Sequence, residues 1–137
     1  MTPQEISKLQ GYLRRVFGSR ALEVRARPQK DEAELFVSGK PLAGIVVDDE
    51  DGDRCYLVEW SIREKPQPLS LQEMVRIQTF MRDRLGAKTL SVRARGRLND
   101  SAEVFIGEES IGTLTVGPDA YEFEMAILDI DLDEAAE

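Results

Sequence analysis

The chain has 137 residues, of which 42% are hydrophobic and 32% charged, with a net charge of −8, one cysteine and no histidine. These proportions are typical of a globular protein. The absence of histidine removes the usual general base and most zinc sites. The single cysteine, Cys55, excludes an internal disulfide, and we interpret it as a small buried apolar residue. The acidic balance disfavours binding to nucleic acid or to an anionic membrane.

The sequence contains an internal repeat. Residues 4–27 align without a gap with residues 72–95, and ten of these 24 positions are identical. A period of about 68 residues is too long for a solenoid and indicates two tandem copies of one small domain. We therefore predict a first lobe over residues 1–62 and a second over residues 70–134.

The first copy begins with a helix signal. Thr2 is a suitable N-cap, Pro3 fits the first helical position and Glu5 completes a capping box. Apolar residues at helical spacing follow, and Gly18 fits a C-cap. The pattern predicts a helix over residues 3–17. Four strand patterns come next: the alternating residues from 22 to 27, AELFVSG, residues 41–47, and CYLVEWSI at residues 55–62.

A linker with two prolines, REKPQPL at residues 63–69, should be extended and stiff. The second copy then repeats the order, with a capping box at Ser70 and Glu73, a helix over residues 71–85 and Gly86 as C-cap. Its strand patterns are LSVRAR, AEVFIGE, residues 110–116 and YEFEMAIL at residues 121–128. Residues 135–137 form an acidic tail, and we expect the chain to be loose from residue 133 onward.

The predicted fold class is α+β, a tandem duplication of a helix plus a four-stranded antiparallel meander, α-β-β-β-β. A lobe of about 65 residues buries little surface and is marginal by itself. We therefore predict that the two lobes pack face to face as a pseudo-twofold pair, like a fused homodimer.

The motif VRAR, at residues 24–27 and 92–95, is the longest identical run that the copies share. Alternation places both arginines of each motif on one strand face. They are candidate ligands for an anion or a phosphate. The alternative is a solvated strand face, with the arginines paired to glutamates of the next strand: Glu34, Glu103 or Glu122. The candidate residues are Arg25, Arg27, Arg93 and Arg95.

Two acidic stretches could in principle hold a cation. The loop Asp48, Asp49, Glu50, Asp51, Gly52, Asp53 lacks the spacing of an EF-hand, and we interpret it as a soluble hairpin tip. The row Asp129, Asp131, Asp133 alternates with apolar residues. We interpret it as a charged edge strand, because carboxylates about 7 Å apart are too distant for one cation cage. We predict no metal and no cofactor.

Aromatic residues alternate in the fourth strand of each copy. Tyr56 and Trp60 correspond to Tyr121 and Met125. Such residues are usually core. If the lobes leave them uncovered, Tyr56, Trp60 and Tyr121 would mark a partner surface.

The second copy resembles DUF3126, a family of small bacterial domains, through LQEMVRIQTFMRDRLG, LSVRAR, DSAEVFIGEESIGTL and YEFEMAILDIDLDE. The first copy is similar through TPQEISKLQGYLRRVFG and LEVRARPQKDEAELFV, but its ending VEWSIREK departs from EMAILDIDLDE. The resemblance implies a bacterial, cytoplasmic protein, and it brings no activity, cofactor or catalytic residue.

For function, the sequence favours a non-enzymatic protein-binding or adaptor module, because no catalytic motif or Gly-rich phosphate loop is present. The alternative is an anion or nucleic-acid binder that uses the two VRAR strands. We expect a cytoplasmic protein with a protein partner and no membrane association, and the sequence leaves a homo-oligomer open.

Overall fold

The computed structural model describes residues 1–49 and 52–136, with the backbone alone for residues 133–136. Eleven elements follow one another in this part of the chain. They are α1 Pro3–Phe17, β1 Leu22–Ala26, β2 Glu32–Val37, β3 Lys40–Asp48, β4 Cys55–Ile62, α2 Leu71–Leu85, β5 Leu90–Ala94, β6 Ser101–Ile106, β7 Glu109–Val116, β8 Tyr121–Leu128 and α3 Asp129–Ala136. The α-β-β-β-β order of each copy is therefore confirmed, and α3 is an addition that the sequence analysis did not predict.

Both predicted helices have the predicted bounds, and their caps explain why. In α1 the Thr2 hydroxyl accepts a hydrogen bond from the Glu5 N–H at 3.1 Å, and the Glu5 carboxylate accepts one from the Thr2 N–H at 3.0 Å. In α2 the Ser70 hydroxyl accepts from the Glu73 N–H at 3.1 Å. The reciprocal half of that second capping box is absent, because the Glu73 carboxylate binds Tyr121 and Arg76 instead.

The two lobes share one eight-stranded antiparallel sheet with the strand order β1-β2-β3-β4-β8-β7-β6-β5. Each four-stranded meander uses its last strand as the joint, and β4 pairs with β8 over eight residue pairs, from Cys55↔Leu128 to Ile62↔Tyr121. The predicted face-to-face packing is therefore wrong. The lobes join edge to edge, because two unpaired edge strands satisfy each other's backbone groups.

The joint has pseudo-twofold symmetry. Tyr56 pairs with Ile127, and Tyr121 pairs with Ile62. Tyr121 is the counterpart of Tyr56 in the second copy and Ile127 the counterpart of Ile62, so the two pairs are equivalent. Glu59 pairs with Glu124, which is its own counterpart in the other copy. The pseudo-twofold axis therefore passes between these two glutamates, at the centre of the sheet.

The core lies on one face of this sheet. The inward residues of β4 and β8 are almost fully buried: Tyr56, Val58, Trp60, Ile62, Tyr121, Phe123, Met125 and Ile127. The helix positions Leu9, Leu13, Ile77 and Met81 are 0% exposed and belong to the same cluster. The helices thus cover one face of the sheet, and the sheet's other face, which we call the open face, carries the alternate residues.

Helix α3 overturns two expectations at the end of the chain. Asp129 and Asp131 do not extend an edge strand, and residues 133–136 are helical in backbone. The Asp131 carboxylate accepts a hydrogen bond from the Leu128 N–H at 3.1 Å, and acidic groups favour the first turn of a helix. Leu132 is 1% exposed within the common core, and α3 packs against α1 of the first lobe. Residue 137 of the predicted tail lies outside the described residues.

Candidate functional site

The open face has a continuous row of residues that crosses all eight strands. Successive register partners are Arg25, Glu34, Gly44, Glu59, Glu124, Thr113, Glu103 and Arg93. The row reads the same way from either end, apart from Thr113 at the position that corresponds to Gly44. Basic side chains therefore lie at both outer edges, and four of the six positions between them are carboxylates.

The four candidate arginines do not converge on one site. Each VRAR motif lies on an outermost strand, β1 or β5, and seven strand spacings separate the two. At about 4.8 Å per spacing, the two motifs are roughly 34 Å apart. A single small anion cannot contact both motifs.

In the first lobe the arginines have partners within the protein. Arg25 forms an ion pair with Glu23 at 2.7 Å, and its guanidinium lies 4.0 Å from the centroid of the Phe36 ring. Arg27 lies 3.6 Å from the carboxylate of Glu34. The glutamate that sequence analysis offered as a partner from the next strand is thus in place.

The second lobe repeats this arrangement. Arg93 lies 4.1 Å from the centroid of Phe105 and 3.4 Å from the carboxylate of Glu108. Arg95 lies 3.9 Å from the Glu103 carboxylate and donates a hydrogen bond to the Ser101 hydroxyl at 3.0 Å. Glu122, the third suggested partner, accepts instead from the Ser61 hydroxyl at 2.6 Å. The charges of the four candidate arginines are therefore largely neutralised by glutamates of their own lobe.

The centre of the open face has the opposite character. Glu59 and Glu124 are both exposed and lie directly opposite each other across the β4–β8 joint. Directly paired residues have Cβ atoms about 5 Å apart, and like charges at such positions are destabilising. Neither carboxylate has a hydrogen bond or ion pair among the described side chains, those of residues 1–49 and 52–132. The sheet therefore holds two adjacent uncompensated charges at its symmetry axis.

An apolar patch adjoins this acidic pair. Val46 pairs with Leu57, Leu57 pairs with Ala126, and Cys55 pairs with Leu128. Leu128 is 50% exposed, and the other four are exposed or half-buried. A solvated sheet face normally carries polar residues at such positions. We call these five residues the central patch. On the other side of the axis the related positions are polar, with Glu122 and Ser61 in place of Leu57 and Ala126.

A cavity of about 350 Å³ opens beside the patch on the second lobe, and its lining includes Arg95, Glu103, Thr113, Glu124 and Ala126. The corresponding space in the first lobe is occupied. There the guanidinium nitrogens of Arg27 lie 3.5 Å from where a Cβ on Gly44 would be. Arg27 therefore lies over Gly44 in the first lobe, whereas its counterpart Arg95 lines a cavity that stays open in the second lobe.

Tyr56, Trp60 and Tyr121, the candidate partner residues, face the helices and are 0%, 5% and 0% exposed. As a partner surface this set is wrong, because the edge-to-edge joint places β4 and β8 at the centre of the sheet, beneath the helix layer. Trp60 stacks on Phe80 of α2 with ring centroids 6.1 Å apart. The alternative interpretation, that these aromatic residues are core, is the one that the structure bears out.

Each buried tyrosine anchors a helix start through a carboxylate and an arginine. The Tyr56 hydroxyl donates to Glu5 at 2.5 Å, and Arg54 pairs with Glu5 at 2.8 Å. In the second lobe the Tyr121 hydroxyl donates to Glu73, which Arg76 also binds. The two arginines come from different elements: Arg54 directly precedes β4, whereas Arg76 lies in α2. These networks are fully satisfied and tie the helices to the sheet, so we assign them a structural role.

Glu5 should make stability sensitive to acid. Burial by itself raises the pKa of Glu5, but the hydrogen bonds from Thr2, Tyr56 and Arg54 lower it to about 2, from 4.5. The stabilisation is complete above pH 4.5 and is lost as pH falls towards 2, because protons then bind the unfolded chain first. At 1.36 kcal/mol per pKa unit, we expect about 2 kcal/mol after allowing for partial exposure. Urea unfolding should show this acid loss in the wild type and a smaller one in Glu5→Gln; equal losses would contradict it.

The two acidic stretches form no cation site in the described structure. Asp129 and Asp131 lie in the first turn of α3, and Glu50 and Asp51 of the loop fall outside the described residues. Among the side chains that the structure describes, those of residues 1–49 and 52–132, no three metal-ligating groups come together. None of the described helices has the length and apolar character needed to cross a membrane.

Comparison with protein families gives two matches within this chain. The model of a protein family of unknown function, DUF3126, matches residues 5–66 and again residues 73–131. The chain belongs to the DUF3126 family. The tandem pair predicted from the sequence is confirmed, since each match covers one helix and its meander. No curated protein matches the chain.

The two DUF3126 repeats keep the same framework and differ at their ends. Both retain the tyrosine–glutamate anchor and a glutamate at the symmetry axis, whereas the first ends in the linker and the second in α3. Sequence analysis missed Glu59, Glu124 and the central patch. The signal was present, since VEW and FEM place a glutamate at the same position of both fourth strands. Only the β4–β8 pairing shows that the two meet.

Proposed function

We propose that this chain is a non-enzymatic protein-binding module whose open sheet face binds a partner segment with basic and apolar side chains. The observation that carries the proposal is the central patch beside the unpaired carboxylates of Glu59 and Glu124. Apolar side chains of a partner would cover the patch, and a lysine or arginine would relieve the repulsion between the two glutamates.

The cavity on the second lobe supports the same partner chemistry. Its lining carries Glu103 and Glu124 together with Arg95, which lies 3.9 Å from the Glu103 carboxylate. Glu124 has no hydrogen bond or ion pair among the described side chains, so a partner's basic side chain in this cavity could pair with it. The surplus of acidic residues, 26 against 18 basic ones, favours encounter with a basic surface.

The alternative function, binding of an anion or nucleic acid through Arg25, Arg27, Arg93 and Arg95, has less support. These side chains are engaged with carboxylates of the same sheet, and acidic residues separate the two motifs. Binding of this kind should fall steeply with added salt. It should also be lost in the double variant Arg93→Ala with Arg95→Ala.

Charge reversal at the symmetry axis tests the proposal. Affinity capture from the native host should retain a protein partner with the wild type, and the Glu59→Lys/Glu124→Lys variant should retain about tenfold less, because like charges would then face each other across the interface. The matched control is Asp83→Lys/Asp100→Lys, which changes net charge equally at exposed sites away from the patch. Equal capture by both double variants would refute this use of the open face. Nucleic acid recovered at low salt and lost in the arginine variant would support the alternative.

The single variant Glu59→Lys separates binding from folding. It converts a like-charge pair into an opposite-charge pair, so its free energy of unfolding should rise by roughly 0.2–1 kcal/mol. Capture of the partner should fall nonetheless. A thermal melt together with the capture assay would show both effects, and a variant that lost stability would show that the two carboxylates do not repel each other.

A further inference from the structure

The flank of α2 differs from the flank of α1 in what covers it. Helix α3 packs along α1, where Leu132 is 1% exposed. Burial, together with the charges of Asp131 and Glu109, raises the pKa of the Tyr12 hydroxyl on that flank. Tyr12 itself is half-buried. No helix makes comparable contact with α2 in the described part of the chain.

The counterpart of Tyr12 in the second copy is Phe80, and it faces an open groove. This groove, a cavity of about 330 Å³, lies between α2 and the start of β3 in the first lobe. Its lining includes Pro41, Leu42, Trp60, Phe80, Arg63 and Arg84. Phe80 is only half-buried, although it stacks on Trp60. We call this space the α2 groove.

The reason for the asymmetry lies in the two repeat endings. After β8 the chain turns into α3 and covers the groove beside α1. After β4 the corresponding residues begin the linker, which returns to the start of α2: Glu64 pairs with Arg76, and the Gln67 N–H donates to the Tyr121 hydroxyl at 2.8 Å. The first repeat therefore has the linker where the second has a covering helix, and no helix in the described part of the chain covers the groove beside α2.

The charges at the α2 groove are complementary to a helix such as α3. Arg63 and Arg84 are both exposed at its rim, and the Arg84 guanidinium lies 4.8 Å from the centroid of Phe80. Arg63 has no hydrogen bond or ion pair among the described residues. Glu64, the acidic residue of the lining, is already paired with Arg76. The sequence of α3 is DIDLDEAA, with carboxylates in its first turn and an aliphatic anchor at Leu132.

We infer that the α2 groove is a second binding surface, which takes a short acidic amphipathic helix from a partner protein. An aliphatic side chain of that helix would lie on Phe80 and Trp60, in the manner of Leu132 on the other side. Its carboxylates would pair with Arg63 and Arg84. Because the groove and the central patch lie on opposite faces of the sheet, a chain with both surfaces could join two partners.

The test uses the intact protein and a stapled helical peptide with the sequence of residues 126–136, AILDIDLDEAA. In a titration followed by nuclear magnetic resonance, the Trp60 indole and the backbone amides of Phe80 and Arg84 should shift. The Arg63→Glu/Arg84→Glu variant should weaken the affinity at least tenfold. So should a peptide whose leucine at the position of Leu132 is replaced by aspartate.

Lys88→Glu/Arg97→Glu is the matched control, since both residues are exposed and lie in the second lobe away from the groove. It should bind the peptide as the wild type does, and so should Glu59→Lys/Glu124→Lys, which disables only the open face. The absence of shifts at the groove, or binding that survives Arg63→Glu/Arg84→Glu, would overturn the inference. The same shifts arising on concentration of the protein alone would assign the groove to a second copy of this chain and would overturn the stated occupant.

Discussion

Residues 66–137, expressed without the first copy, are expected to form a homodimer and not a stable monomer. The joint strand β8 would lose all eight of its pairs with β4 and become an exposed edge. Its inward residues Tyr121, Phe123, Met125 and Ile127, now at most 2% exposed, would lose half of the shared core. A lobe of this size supplies no more than roughly 3–5 kcal/mol by itself.

The pseudo-twofold axis shows how such a fragment would pair. A second β8 can replace β4 with the same register, so that Tyr121 meets Ile127 of the other copy. Each α3 would then pack against α2 of its neighbour, as it packs against α1 in the intact chain. Sedimentation equilibrium over a range of concentrations measures the association, and mixing with residues 1–65 should yield a one-to-one complex with the spectrum of the intact chain. A fragment that stayed monomeric and unfolded as cooperatively as the full protein would remove the basis for the fused-dimer description.

Gly112→Ala should destabilise the protein by about 3 kcal/mol, the upper part of the range for overpacking. A Cβ at this position would lie 2.5 Å from the Glu124 carbonyl oxygen and 2.8 Å from Cε1 of Phe123. The counterpart of Gly112 in the first copy is Ala43, which is 7% exposed and fits. The first lobe has Val58 where the second has Phe123, so comparison of the repeats alone would predict a harmless change.

Urea unfolding midpoints measure this difference, and two further variants sharpen it. Gly44→Ala should change stability by no more than about 0.5 kcal/mol, because its Cβ would meet the flexible end of Arg27 at 3.5 Å. Phe123→Val added to Gly112→Ala should restore part of the loss by removing the ring contact. If Gly112→Ala and Gly44→Ala behaved alike, the tight approach of β7 to β8 at this point would be refuted.

The local sequence was sufficient to predict α1, α2 and the eight strands, because helix caps and strand alternation involve only a few neighbouring residues. Thr2, Glu5 and Gly18 fix the ends of α1 by caps, and alternation identified the strands. The same logic failed for Asp129 and Asp131, where alternation suggested a strand. Acidic residues also suit the first turn of a helix, so the local pattern is compatible with either a strand or a helix. The helix forms because Leu132 is then buried as α3 packs on the first lobe, more than a hundred residues away along the chain.

The candidate site depended on pairing that no local pattern contains. The VRAR strands were candidate binding sites because their motif is identical in the two copies. The sheet places them at opposite edges, and glutamates of the same lobe pair with their arginines. Glu59 and Glu124 become a site only because β4 and β8 are neighbours.

By itself, the sequence determined the duplication, the bounds of α1 and α2, the meander of each copy and the family. The reason is that all of these follow from residue spacing and from the likeness of one half to the other. The tertiary structure alone decided how the halves meet. Edge-to-edge pairing buried Tyr56, Trp60 and Tyr121, brought two like charges together on the open face, and left one of two equivalent grooves uncovered. The physical reason is that backbone hydrogen bonding between β4 and β8 and burial beneath α1, α2 and α3 are long-range terms, and their outcome depends on all the elements at once.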